Sequence, residues 1–175
     1  MSPLLALVAD YGGGDLAYAE LVQLVEMLVP GTEIVLVQVP PCDSLAAGYC
    51  VARLALTPGP ADRLVVHDIG MLGPEAGGSR RFCFGRTRDG VAVVGANVGF
   101  TWSFVADHVS GPCYLEVPAD GPPLRAPALL AAAVVRVARR QSHAVAGSVP
   151  RGAIRPAPAA APAIPAGIPA RLTAS

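Results

Sequence analysis

The sequence contains no lysine and little charge of either sign. Its 13 basic residues are all arginine, 13 acidic residues balance them, and charged residues make up 15% of the 175 positions. The formal net charge is zero, and arginines stand side by side only at Arg80–Arg81 and Arg139–Arg140. Proteins that bind nucleic acid generally present a basic surface, so we expect no nucleic-acid partner.

Long hydrophobic runs and metal-ligand spacings are also missing. No apolar run reaches the roughly 18 residues that span a bilayer, and no basic stretch precedes the first apolar run. The four cysteines are scattered without C-x-x-C spacing, which is typical of reduced thiols rather than of disulfides or zinc ligands. We therefore expect a cytoplasmic protein without membrane contact, metal or bound cofactor. Its 53% hydrophobic composition indicates either burial between subunits or a count raised by many alanines and valines.

Strand and helix patterns alternate through the first 70 residues. Apolar runs of strand length begin at Leu4, at Glu33 (EIVLVQV) and at Arg63 (RLVVH). Helical spacing of apolar residues covers Leu16 to Val29 and Leu45 to Leu56. This order predicts a doubly wound α/β fold with parallel strands.

The second half is less regular. Residues 69–79 form a glycine-rich loop, and Phe82–Gly85 and Val91–Gly95 are predicted to pair as a hairpin. An aromatic segment, a strand at 113–117 and a helix at 127–140 follow. Because an Ala/Pro-rich stretch cannot form a core, we predict one α/β domain at 1–140 and an extended or disordered tail at 141–175.

Acidic residues stand where the first and third predicted strands end. Asp10 closes the first strand, a triple-glycine turn leads to Asp15, and Asp68 closes the third strand. Parallel strands present their carboxyl ends at one edge, where open sheets bind ligands, so Asp10 and Asp68 should meet there. A carboxylate accepts hydrogen bonds and repels anions, which favours a hydroxyl or amine ligand over a phosphate. Alternatively, the turn is only structural and Asp15 caps the helix.

Six segments resemble one known family when taken in order. VADYGGGD, VQVPPCD, VVHDIG, SRR, GANVG and RAPALLAAA are similar to TDFG…D, HEVPPQD, VVDPGVG, RR, PDNG and FHGRDxFAPAAA of the S-adenosylmethionine hydroxide adenosyltransferase and halogenase family. The resemblance spans about Leu4 to Ala138 and covers the family's N-terminal domain. It implies an α/β three-layer sandwich with a mostly parallel central sheet and helices on both faces, here lacking the family's C-terminal β-barrel domain.

The resemblance also implies a reaction and roles for particular residues. The family replaces methionine at the ribose five-prime carbon of S-adenosylmethionine with water or halide. By position, Asp10 would bind the ribose diol and Asp15 the amino group of the methionine part, while Asp68 and Arg80 would orient or deprotonate water. We assign Tyr11, Asn97 and Trp102 to the same substrate-binding site. A homotrimer with the substrate at a subunit interface is expected from the family.

This sequence departs from the family at several of these positions. The family's catalytic histidine is replaced by Asp120 or by nothing, and the longer loop leaves the match to Arg80 open to Arg81. His67 adjoins Asp68, but neighbours on a strand point to opposite faces, which favours a structural role.

Three hypotheses therefore remain open. In the first, the chain is an enzyme that cleaves S-adenosylmethionine with water. In the second, it is a repurposed enzyme that catalyses cyclisation, isomerisation or addition on a small molecule in secondary metabolism. The third is a non-catalytic oligomeric binding protein. In the second, four aromatic residues would line an apolar cavity, although core packing explains them as well: Tyr11, Tyr18, Phe100 and Trp102.

Overall fold

The computed structural model describes residues 4–60, 62–70, 82–115, 131, 134 and 145–162. Within them the chain forms seven strands and two α-helices: β1 (Leu4–Ala9), α1 (Leu16–Leu28), β2 (Glu33–Gln38), α2 (Ser44–Leu56), β3 (Leu64–Asp68), β4 (Phe82–Thr87), β5 (Ala92–Ala96), β6 (Val109–Leu115) and β7 (Val145–Ser148). The predicted strand–helix alternation and the hairpin around residues 88–90 are confirmed.

All seven strands belong to one sheet in the order β2-β1-β3-β5-β4-β6-β7. The first four strands in this order pair in parallel, whereas β4, β6 and β7 are added in antiparallel. The parallel part therefore holds the predicted doubly wound arrangement, and the rest of the sheet extends it on one side.

Each helix covers a different face of the sheet. Leu21 and Val25 of α1 pack with Leu5, Leu7 and Ala9 of β1 on one face. Ala47 and Val51 of α2 pack with Ala6 and Val8, the alternate residues of the same strand, on the other face. The predicted α/β class with helices on both faces is confirmed. No helix of the described residues is long and apolar enough to cross a membrane.

The C-terminal stretch corrects the predicted domain boundary at residue 140. Val145–Ser148 is strand β7, which pairs with β6, and the adjoining Val149 is buried in the core on the α2 face. Ile154 packs against the same core. The prediction that this Ala/Pro-rich stretch stays outside the fold is wrong for these residues. A strand of four residues can form here because the edge of an existing sheet supplies its hydrogen-bond partners.

The predicted helix at 127–140 and the strand at 113–117 are described only in part. Ala131 and Val134 are helical and buried on the α1 face. The strand is found as β6, which begins four residues earlier than predicted. The remaining residues of that helix, most of the loop at 69–79, and residues 116–117 lie outside the described residues.

Candidate functional site

The parallel half of the sheet contains a topological switch point, where successive connections lead to opposite sides of the same strand. From β1 the chain passes through α1 to β2 on one side, and from β2 it returns through α2 to β3 on the other side of β1. The crevice at such a point, outside the carboxyl ends of the strands, is where open α/β sheets bind ligands. Asp10 follows β1 directly and Asp68 ends β3 next to Ala9, so both acids lie at the same edge of the sheet, as predicted.

Asp10 is held in place by the main chain. Its Oδ2 accepts hydrogen bonds from the backbone N–H of Cys42 at 2.8 Å and of Gly70 at 2.9 Å. These donors belong to the connections that leave β2 and β3, so the side chain at the end of β1 ties together the ends of three adjacent strands. No described donor reaches Oδ1 of Asp10, which leaves one carboxylate oxygen for a ligand.

Asp68 contacts the residue that follows Asp10. The hydroxyl of Tyr11 donates to Oδ2 of Asp68 at 3.2 Å. Burial raises the pKa of Tyr11, and the nearby Asp68 and Asp10 charges raise it further. The phenol therefore keeps its proton and acts as a donor throughout the neutral range. Asp68, Tyr11 and the nearby charge of Asp10 form an acidic cluster, within which Tyr11 and Asp68 are in direct hydrogen-bond contact.

Asp15 ends the glycine turn that follows Asp10, where its side chain is exposed and hydrogen-bonded locally. It stands at the N-cap position of α1, yet its side chain does not cap the helix. Instead the carboxylate accepts from the backbone N–H of Gly12, which closes the glycine turn. The alternative that Asp15 caps α1 is therefore wrong, although the Asp15 side chain does stabilise the glycine turn.

Asn97 follows β5 and is used by the C-terminal segment. Its side-chain nitrogen donates to the carbonyl oxygen of Ala153 at 2.8 Å. Nearby, Ser103 donates to the carbonyl of Arg155, and the Arg155 guanidinium lies 5.0 Å from the centre of the Phe100 ring. In the structure, Asn97 and Phe100 thus hold residues 151–155 against the end of the sheet rather than presenting these groups to a ligand.

Trp102 is a core residue, which corrects its assignment to the substrate site. It is 1% exposed and packs on the α2 face, with its ring 6.0 Å from that of His67 in an edge-on arrangement. His67 is equally buried, and its ring covers Gly95 so closely that an added Cβ atom there would collide with Nε2. Asp68 and His67 lie on opposite faces, so the structural role predicted for His67 is the one observed.

Other predicted catalytic groups cannot be placed at the cluster. Arg80, Arg81 and Asp120 lie outside the described residues. His108 is exposed in a short 3-10 turn before β6, next to Val109, which pairs with Thr87. Since Phe82 at the other end of β4 pairs with Ala96, His108 belongs to the opposite edge of the sheet from Asp68.

Cys42 and Gly70 are the site residues that sequence reasoning missed. Cys42 has a φ of 58°, the one left-handed non-glycine residue of the described chain. Such conformations are uncommon for residues with a Cβ and cluster at functional sites. The double proline before Cys42 marked a break after β2, but nothing in the sequence indicated that the next N–H would bind Asp10.

The chemistry available at the cluster is that of hydrogen-bond acceptance and proton transfer. No group of three or more His, Cys, Asp or Glu side chains in the described parts of the chain could hold a metal ion. A carboxylate with one fixed and one open oxygen suits a ligand that presents hydroxyl or ammonium donors. The adjacent carboxylate–phenol pair can orient a water molecule or receive its proton.

Comparison with known proteins shows similarity in fold. No protein-family model and no curated protein matches the sequence. An uncharacterized conserved protein from Thermotoga maritima matches with a TM-score of 0.68 at 15% identity, over 83% of this chain and 58% of that one. A conserved hypothetical protein from Thermus thermophilus matches with a TM-score of 0.65 at 24% identity, over 90% and 63%. This chain therefore spans about three-fifths of either structure and is similar to both in its α/β fold.

Proposed function

We propose that this protein cleaves S-adenosylmethionine by attack of water on the ribose five-prime carbon, giving adenosine and methionine. The observation that carries the proposal is the pair of carboxylates, Asp10 and Asp68, at the switch point between β1 and β3. The order of sequence segments that resemble the hydroxide adenosyltransferase family supports the same reaction. Acids at this position suit a neutral sugar and a cationic sulfonium better than a phosphate ligand.

Asp10 takes the role of ribose ligand in this proposal. Two vicinal hydroxyls can both donate to one carboxylate, and Oδ1 of Asp10 accepts no bond from the described residues. Because the backbone already fixes Oδ2, the ligand does not have to order this side chain on binding. Preorganisation of this kind lowers the entropic cost of association.

Asp68 and Tyr11 take the role of positioning water. As the water oxygen forms the new C5′–O bond, the C5′–S bond breaks and its electron pair passes to the sulfonium sulfur, which leaves as the thioether of methionine. One water proton passes to the carboxylate of Asp68, whose Oδ2 is held by the Tyr11 hydroxyl at 3.2 Å. A sulfonium is already a good leaving group, so placing and partly desolvating the water supplies most of the acceleration.

Other sequence-based assignments belong to the same proposal. Arg80 would stabilise the water-binding side of the site, and Asp15 would take the amino group of the methionine part after exchanging its bond to Gly12. We further propose a cytoplasmic homotrimer with the ligand at the subunit interface, because the family resemblance implies that assembly. Trp102 has no part in ligand contact, since it is buried in the core.

A second candidate, proton transfer on another small molecule, is favoured by the Tyr11–Asp68 pair itself. The described residues bring no histidine to this pair, since His67 faces the opposite core and His108 lies at the other edge of the sheet. A carboxylate and a phenol in contact are enough for isomerisation or cyclisation through general acid–base steps. This candidate keeps the site but changes the substrate.

Product analysis in ¹⁸O-labelled water tests the first candidate. We expect S-adenosylmethionine to give methionine and adenosine that carries one heavy oxygen, because the water oxygen becomes the five-prime oxygen. Asp68→Ala should abolish turnover while leaving S-adenosylmethionine binding, and Asp10→Ala should weaken binding. Asp107→Ala, an exposed acid beside His108, is the matched control and should change neither.

Three results would count against this proposal. Unlabelled adenosine would show that water does not attack the five-prime carbon. Equal loss of binding in the Asp10→Ala and Asp68→Ala variants would refute the division of roles between the two acids. Tight binding of S-adenosylmethionine without any product would favour the second candidate or a binding protein.

A further inference from the structure

Asp10 receives its two backbone hydrogen bonds from different parts of the chain. Cys42 is 32 residues away and follows β2, whereas Gly70 is 60 residues away and follows β3. Both N–H groups meet the same oxygen, Oδ2, at 2.8 and 2.9 Å. Hydrogen bonds from N–H groups to an ionised carboxylate are among the stronger ones in proteins, so this pair defines where the side chain points.

Cys42 supplies its N–H from a conformation that its residue type disfavours. Its φ of 58° is left-handed, where a Cβ atom approaches the neighbouring backbone. The local turn is closed by bonds from Asp43 N–H to the Pro40 carbonyl and from Ser44 N–H to the Cys42 carbonyl. A residue branched at Cβ would be forced out of this conformation, and its N–H would then leave Asp10.

Gly70 approaches Asp10 more closely than a larger residue could without displacement. A Cβ at this position would lie 3.0 Å from Oδ2 of Asp10 and 3.3 Å from Sγ of Cys42. The absence of a side chain here is therefore what lets the two connections close around one carboxylate. An added methyl group must push either Asp10 or Cys42 by a few tenths of an ångström.

We infer that Cys42 and Gly70 are positioning residues that select the ligand through their backbone N–H groups, a role that rests on the proposed function of Asp10. They fix Oδ2 and leave Oδ1 as the ligand-facing atom. The group that meets Asp10 is therefore a hydrogen-bond donor, such as a sugar diol or an ammonium. The Cys42 thiol itself is not required for this role.

A ligand-independent measurement tests whether the N–H groups of Cys42 and Gly70 bind Asp10, an arrangement that we call the clamp. In the wild-type protein we expect the amide hydrogens of Cys42 and Gly70 to exchange slowly with solvent, which NMR can follow. In Asp10→Ala we expect both to exchange at least about tenfold faster, since each loses its acceptor. Asp15→Ala is the control, because the bond from Gly12 is local and leaves these two amides unaffected.

A substitution series at Cys42 then tests the effect on the ligand. Cys42→Val should weaken S-adenosylmethionine binding about tenfold, the loss expected when one hydrogen bond to a charged group disappears. Cys42→Gly accepts the left-handed conformation and should rescue binding. Cys50→Val makes the same chemical change in α2, away from Asp10, and serves as the control.

Gly70→Ala gives an independent second variant. It should weaken S-adenosylmethionine binding about threefold to tenfold, because one methyl group displaces Asp10 or Cys42 slightly. Gly152→Ala is matched to it, since a Cβ at Gly152 meets nothing within 4 Å. Circular dichroism of each variant shows whether it is folded before affinities are compared.

The outcomes separate this inference from the proposed function. Unchanged exchange of both amides in Asp10→Ala overturns the clamp, whatever the ligand does. Accelerated exchange without S-adenosylmethionine binding by the wild-type protein overturns the proposed function and leaves the clamp standing. Accelerated exchange with equal binding by wild type, Cys42→Val and Gly70→Ala overturns the positioning role. Equal losses in Cys42→Gly and Cys42→Val would assign the role to the thiol instead.

Discussion

Each edge of the parallel sheet holds one charged side chain through backbone hydrogen bonds, but one side chain accepts these bonds and the other donates them. At the carboxyl edge, Asp10 accepts from two N–H groups through one oxygen and keeps the other open. At the amino edge, Arg63 precedes β3 and donates to four carbonyl oxygens, those of Leu54, Ala55, Thr57 and Pro60. Arg63 is buried with its nitrogens used at the end of α2, whereas Asp10 is half-buried.

The difference separates a structural charge from a functional one. A guanidinium that gives four of its five N–H groups to the last carbonyls of a helix and the turn beyond it has little bonding capacity left for a ligand. A carboxylate with a free oxygen at a strand end retains that capacity. The use of each donor and acceptor, more than the difference in exposure, distinguishes the two. We therefore expect Arg63 variants to affect stability and Asp10 variants to affect binding.

Arg63→Met should give the largest loss of stability. The change removes the donor from the buried carbonyl contact with Ala55 and from three part-buried ones, and we expect the free energy of unfolding to fall by about 3 kcal/mol. Urea denaturation measures this value. Arg53→Met removes an exposed arginine from α2, the helix whose end Arg63 contacts. It should change the free energy of unfolding by less than about 0.5 kcal/mol. Equal stability of the two variants would refute the structural role of Arg63.

His67 extends the comparison to a buried polar group that has no hydrogen-bond partner among the described residues. Burial lowers its pKa from 6.5 to about 3, so the unfolded chain takes up a proton below pH 6.5 that the folded chain does not. Stability therefore falls as pH falls, by about 2 kcal/mol between pH 7 and pH 5 from this residue.

His67→Leu should remove that part of the acid sensitivity, as measured by urea midpoints at pH 7 and pH 5. The exposed His108 offers the matched control, and His108→Gln should keep the wild-type difference between the two pH values. If His67→Leu loses as much stability on acidification as wild type, the account of His67 as a neutral core residue is wrong.

Tyr11→Phe should have the smallest effect on stability and a larger one on turnover. Loss of the hydrogen bond to Asp68 should cost about 1 kcal/mol of unfolding free energy. Turnover of S-adenosylmethionine should fall about tenfold with little change in KM, because the pair acts on water rather than on the bound ligand. Tyr18→Phe, a half-buried neighbour on α1, should leave both values unchanged. A change in KM alone would argue for Tyr11 as a binding residue.

The sequence predicted the parallel half of the fold and the placement of its two acids at one edge because both follow from local patterns. Apolar runs, helix spacing and breaks at Pro30 and Pro40 set the order of elements, and that order forces Asp10 and Asp68 to one edge. The opposite directions of His67 and Asp68 follow from the two-residue period of a strand.

The rest depended on contacts that no local pattern encodes. Trp102 and the ligand-site aromatic residues of an enzyme look alike in sequence, and only packing against His67 shows that Trp102 is core. Strand β7 lies in a short AVAGS segment whose partner, β6, is about 30 residues earlier in the chain. The left-handed Cys42 depends on a turn and on Asp10, which is 32 residues away.

Calorimetric titration of S-adenosylmethionine into the wild-type protein and into Asp10→Ala shows whether Asp10 is the ribose ligand. We expect micromolar binding by the wild-type protein and a loss of at least about tenfold in the variant, whose ribose acceptor is gone. Absence of heat from the wild-type protein at millimolar ligand, or equal affinities of the two proteins, would contradict this assignment.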